Sequence, residues 1–129
     1  MMSWIDDTLA DFGRRLGLGS LDCGAHGVAQ LALAGGGLIA IEPVQRGDVE
    51  EVLVYVGRRA GHDAPCLLRR ALAQAHHRQA GAQPVQVATR GQGPDTLLLA
   101  LLRLPAREFT PQSLDGAFGA LNRWLDGLK

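Results

Sequence analysis

The chain has 129 residues, 47% of them hydrophobic and 20% charged, with 13 basic and 13 acidic side chains and a formal net charge of zero. A single domain of this length hides roughly two-thirds of the surface its unfolded chain exposes, and with only 5% aromatic residues its core must be built from Leu, Val and Ala. The balanced charge gives no support to nucleic-acid binding, which requires a basic stripe, and no run of like charge marks a membrane-binding patch.

In chain order, Trp4, Ile5, Leu9, Phe12 and Leu16 recur at helical spacing among Asp6, Asp7, Asp11, Arg14 and Arg15, which predicts an amphipathic helix over 3–16. Ser3 can cap it, the early acids suit its positive end, and Gly17 and Gly19 stop it. The two acids near the start also argue against a secretory signal. The segments 28–33 and 38–42 read as strands joined through Gly35, Gly36 and Gly37. Residues 43–48 read as a loop, and 49–56 as a third strand in which Val52, Val54 and Val56 alternate with Glu51, Leu53 and Tyr55.

Asp63, Ala64 and Pro65 form a helix-start signal, with Leu67, Leu68, Ala71, Leu72 and Ala75 as the apolar stripe and an end expected before Gly81. Residues 84–89 and 95–104 read as two more strands around the turn Arg90 to Pro94. Thr110 and Pro111 open a last helix whose stripe is Leu114, Ala117, Phe118, Leu121, Trp124, Leu125 and Leu128. The expected fold is therefore α+β, in the order α-β-β-β-α-β-β-α. Its strands form an antiparallel sheet packed with helices, all within one domain over 1–129.

The last strand carries the main physical signal. Leu97, Leu99 and Leu101 point to one face, and Leu98, Ala100 and Leu102 to the other. Each buried leucine is worth about 1.5–3 kcal/mol relative to exposure, so neither face is expected to stay in water. Either helices cover both sides of the sheet or a second subunit does. The most apolar segment, 96–104, reaches about half of the roughly 20 residues a membrane helix needs, and the chain reads as cytoplasmic.

Chemistry-bearing residues are sparse. His76 and His77 are adjacent, so on a helix they diverge by about 100° and do not share a metal; they read as a solvated or interfacial edge. Cys66 with His62 resembles a nucleophile and base, but no oxyanion hole or third orienting group accompanies them. Cys23 and Cys66 have no metal spacing and read as small buried or half-buried fillers. Both glycine clusters join strands to strands, unlike a phosphate-binding loop. Arg46, Gly47 and Asp48 match an adhesion tripeptide by chance, and Trp4 and Trp124 read as core. No cofactor, metal site or catalytic residue is expected.

Laid out this way, the chain resembles the class I chaperones of bacterial type III secretion in element order and length. The opening Met2, Ser3, Trp4, Ile5, continuing through Phe12 to Leu16, Gly17 and Leu18, is similar to the SycN-type member. The closing helix around Leu121, Trp124 and Leu125 after a Leu-rich strand fits the broader family. Those chaperones are usually acidic, whereas this chain is neutral. The resemblance implies a non-enzymatic chaperone subunit that pairs with a second small chaperone of the YscB type. Together they would hold the N-terminal segment of a secreted gatekeeper of the YopN type, extended and competent for export.

On that reading Leu9, Phe12, Leu16, Leu31, Leu33, Ile39 and Ile41 are expected to form the client surface, and Leu68, Leu72, Leu97, Leu99 and Leu101 the pairing surface. A regulatory or scaffolding module that binds a folded partner, and a small Cys/His enzyme, are the alternatives.

Overall fold

The computed structural model describes residues 3–15, 29–32, 37–75 and 84–128. Its elements are α1 (Ser3–Arg15), β1 (Ala29–Ala32), β2 (Leu38–Arg46), β3 (Val49–Arg59), α2 (Ala64–Gln74), β4 (Gln86–Arg90), β5 (Leu97–Pro105) and α3 (Pro111–Asp126). Short 3-10 turns at 61–63, 93–95 and 106–108 lead into α2, β5 and α3. The expected α+β order is the observed one. Among the described residues the sheet has five strands in the order β1-β2-β3-β5-β4, every neighbouring pair antiparallel.

The second and third strands run further than their patterning indicates. Residues 43–46, expected as loop, continue β2, with Pro43 opposite Val52 and Arg46 opposite Val49. Proline is accommodated there because β1 pairs only as far as Ile41, so beyond it β2 is an edge among the described residues. The turn closes at Gly47, whose φ of 59° suits glycine. At the other end β3 extends through Gly57, Arg58 and Arg59, because all three pair with Leu97, Leu98 and Leu99 of β5.

The register decides which side chains share a face. Val52, Val54 and Val56 of β3 lie beside Leu98, Ala100, Leu102 and Leu104 of β5 and Ile41 of β2, all buried. The three described helices, α1, α2 and α3, close over this face. Leu9 and Phe12 from α1, Ala71 from α2, and Leu114, Ala117, Phe118, Leu121 and Leu125 from α3 join the strand residues in one continuous core. The Phe12 and Phe118 rings stack with centroids 5.4 Å apart, fastening α1 to α3.

The helix caps differ in quality. Thr110 has the extended conformation of an N-cap, and its hydroxyl accepts from the Ser113 amide at 3.0 Å, as the Thr-Pro start predicts. Asp63 occupies the cap position of α2 without a side-chain hydrogen bond, because the 3-10 turn before it leaves its backbone out of the extended region. At its far end α3 is held by other elements. Gln74 of α2 donates to the Trp124 carbonyl at 2.7 Å, and Arg58 of β3 donates to the Asn122 carbonyl at 3.1 Å and to the Asp126 carboxylate at 2.7 Å. Cations at a helix C-terminus are favoured by its dipole.

One expectation about a side chain is corrected, and others fall outside the described residues. Cys66, expected as a small filler, is exposed. Leu67, Leu68 and Ala71 turn toward the core and Cys66 sits one position off that stripe. Trp124 packs half-buried against the core. The glycine stops at Gly17, Gly19 and Gly81, the turn glycines Gly35 and Gly36, and Cys23, His76 and His77 lie outside the described residues.

Candidate functional site

The sheet's other face is built differently. Leu38, Ala40, Tyr55 and Leu99 form a second buried cluster, ringed by half-buried Leu53, Ala88, Leu97 and Leu101. Every one of these side chains comes from a strand, and among the described residues no helix side chain joins them. Gly57 explains how part of this face closes on itself. A Cβ there would stand 2.8 Å from Leu99 Cδ2 and 3.3 Å from Leu38 Cγ, so glycine's missing side chain lets those leucines meet across β3.

Polar groups frame the apolar centre. The Arg90 guanidinium lies 5.9 Å from the Tyr55 ring centroid and donates to its hydroxyl at 3.4 Å. Arg103 reaches Gln86 Oε1 at 3.2 Å and Glu51 Oε1 at 3.5 Å. The apolar strip crosses β2, β3, β5 and β4 and carries arginines on its margin. It gathers no nucleophile with a base. His62 and Cys66 are both exposed with no hydrogen bond between them, and among the described residues no three His, Cys, Asp or Glu converge on a metal position. No helix among the described residues is long and apolar enough to cross a membrane.

The sequence-derived sites are redistributed. Of the expected client residues, Leu9, Phe12 and Ile41 are 0%, 2% and 1% exposed and belong to the main core. They are buried because α1 lies against α3 over the sheet, so they present no surface to a partner. Leu31 and Ile39 are half-buried opposite one another on β1 and β2. Leu16 and Leu33 lie outside the described residues.

The expected pairing residues do not form one patch. Leu97, Leu99 and Leu101 share the second sheet face, whereas Leu68 packs against the main core from α2 and Leu72 stands 58% exposed on that helix. Sequence reasoning missed Leu38, Ala40 and Tyr55 as companions of Leu99. The alternation within β3 places Leu53 and Tyr55 opposite the valines, and only the register adds β2 to them.

Known proteins place the chain in a family. Solved structures of similar fold include a chain of the HopA1–SchA chaperone–effector complex, 18% identical, covering 95% of this chain and 90% of that one with a TM-score of 0.61. Another is a chain of the Yersinia pestis type III secretion chaperone SycH in complex with a stable fragment of YscM2, 15% identical over 97% and 99% with a TM-score of 0.61. At such identities the likeness establishes the fold. No curated protein sequence matches. The family model for the type III secretory system chaperone SycN matches residues 4–127. The chain belongs to the SycN family of type III secretion chaperones.

Proposed function

We propose that this protein is a non-enzymatic chaperone subunit of the bacterial cytoplasm. It pairs with a second small chaperone of the YscB type and holds the N-terminal segment of a secreted gatekeeper of the YopN type in an extended, exportable form. One observation carries the reading beyond family membership: a buried-to-half-buried leucine face made only of strands, with no described helix over it. The similar folds solved as a chaperone–effector complex and as a chaperone with a YscM2 fragment support it.

In this reading the second chaperone covers Leu97 and Leu101 around Leu99, and Leu72 of α2 is a separate contact. The client lies along an outer strand, where unpaired backbone groups can accept an added strand. The outer strands are β1 and β4. Leu31 and Ile39 offer apolar contact at the β1 side. Ordering a flexible segment costs free energy, so a long stretch of client must be engaged at once.

Co-expression with a candidate gatekeeper and a candidate second chaperone, followed by limited trypsinolysis, tests the reading. The expected result is an N-terminal client segment that survives only in the complex. A client digested equally fast with and without the pair sinks the chaperone reading.

A further inference from the structure

Charge is unevenly placed along this neutral chain. Between Asp63 and Asp95 there is no acidic residue, yet the stretch holds Arg69, Arg70, Arg78 and Arg90. It contains α2 and β4, which pack on each other at one margin of the sheet, where β4 is the outermost described strand. Arg90 lies on the leucine side of β4, leaning toward Tyr55, and Arg69 and Arg70 stand exposed on α2 on the helical side. None of the three meets a carboxylate among the described residues. Arg90 reaches the Tyr55 hydroxyl at 3.4 Å and Arg70 the Leu128 carbonyl at 3.5 Å. The acid next in sequence, Asp95, stands against Arg59 instead.

The same margin carries the exposed Leu72. Successive residues of a helix are turned by about 100°, so Leu72 lies roughly across α2 from Arg70 and Gln74. Those two reach α3 through the Leu128 and Trp124 carbonyls. α3 packs over β3 and β5, and α2 over β5 and β4. The flank with Leu72 therefore faces away from α3 and out over β4, with half-buried Leu68 beside it. β4 pairs with β5 alone among the described residues, so its outer backbone groups lie open below that flank.

Resting on the second-chaperone reading above, we infer that this margin selects the pairing partner by charge. The β4–α2 edge seats a second small chaperone whose facing edge is acidic, with an apolar side chain against Leu72, and disfavours a second copy of this chain. A two-fold pair of identical chains sets one surface patch against itself, which here brings Arg69, Arg70 and Arg90 against the same cations. Like charges across an interface suppress a wrong partner and opposite charges steer the right one, so one basic margin supplies both halves of the discrimination. With β4 assigned to the partner, the β1 side with Leu31 and Ile39 is left to the client.

The test is calorimetric titration of the full chain with a purified small chaperone of the YscB type, at low and high salt. Wild type should bind, and more weakly as salt rises. Arg69→Glu with Arg90→Glu should bind at least about tenfold more weakly, the scale of two surface ion pairs turned to repulsion. Arg107→Glu with Arg123→Glu, an equal change of net charge at exposed sites off this margin, should stay within about twofold of wild type. Arg69→Glu alone, on the exposed face of α2 and away from Tyr55, should show part of the loss with the urea midpoint unchanged. Leu72→Ser should weaken binding at least about threefold. No complex with wild type, or equal losses from the two double variants, overturns the inference. So does sedimentation showing a wild-type dimer that Leu72→Ser dissolves, because the occupant is then a second copy, and so does a client N-terminal segment that displaces the second chaperone. A charge-selective pair that leaves the client unprotected counts against the chaperone reading. Client protection by a pair indifferent to Arg69→Glu counts against the edge.

Discussion

The two faces of this sheet are made by the same strands, and β3 and β5 put leucines or valines on both. On one side Val52, Val54, Val56, Leu98, Ala100 and Leu102 meet three helices and become a continuous core. On the other, Leu53, Leu97 and Leu101 stay half-buried, and closure comes chiefly where Gly57 allows Leu38 and Leu99 to touch. The apolar content of the first face is explained by this chain's own fold. That of the second is left to the partner proposed above, and the difference makes the two faces separable by experiment.

The largest separation is expected from paired truncations. Leu121 is fully buried among the helices, and Leu121→Ala should cost about 2–5 kcal/mol through lost transfer energy and a cavity. Leu101→Ala on the half-buried face should cost less, about 1–2 kcal/mol in the isolated chain, because part of that side chain stays in water. Urea denaturation of both variants checks the contrast. Equal losses would mean that the second face is closed core and needs no partner.

Gly57→Ala probes the second face from inside. Its added Cβ would press on Leu99 at 2.8 Å, so overpacking of about 1–3 kcal/mol is expected, read as a lower urea midpoint. A neutral result would show that Leu38 and Leu99 swing aside freely and that the closure across Gly57 is soft.

Much of this was legible in the residues. The helices of α1 and α3 follow from 3.6-residue stripes and, for α3, from the Thr-Pro start whose cap hydrogen bond is present. The two-sided leucine pattern of β5 announced a face needing cover. What sequence could not supply is the choice of face. Leu9 and Phe12 carry the same apolar signal as Leu31, and only the docking of α1 against α3 sends the first two deep inside, while Ile39 and Ile41 share the helical face and differ only in depth. Likewise Leu68 and Leu97 look alike as text, yet lie on opposite sides of the sheet because α2 crosses to the helical side. Pro43 misled for a related reason: a proline breaks a central strand but not the unpaired side of β2.

The cover over the first face can itself be tested through its capping. Thr110→Ala removes the acceptor for the Ser113 amide and should cost about 1 kcal/mol. Hydrogen exchange should quicken in the first turn of α3 while the β2–β3 ladder stays protected. Uniform quickening would instead make helix layer and sheet one cooperative unit.

A moderate effect on stability should accompany the largest effect on association. Leu97 and Leu101 are half-buried on the second face, beside Arg90 and Arg103 rather than beneath a helix. The double substitution Leu97→Asp and Leu101→Asp therefore places two carboxylates near water and near cations, where neither pays the full penalty of a buried charge. In the isolated chain each lost leucine should cost about 1–3 kcal/mol, since both are more buried than exposed. In a complex with the second chaperone the same carboxylates would be trapped in a desolvated interface, where an unpaired charge is strongly unfavourable. Sedimentation of wild type and double variant with the partner present should show a complex only for the first. If the variant unfolds, the face is core. If it folds and still assembles, pairing uses another surface, and exposed Leu72 of α2 is the next to change.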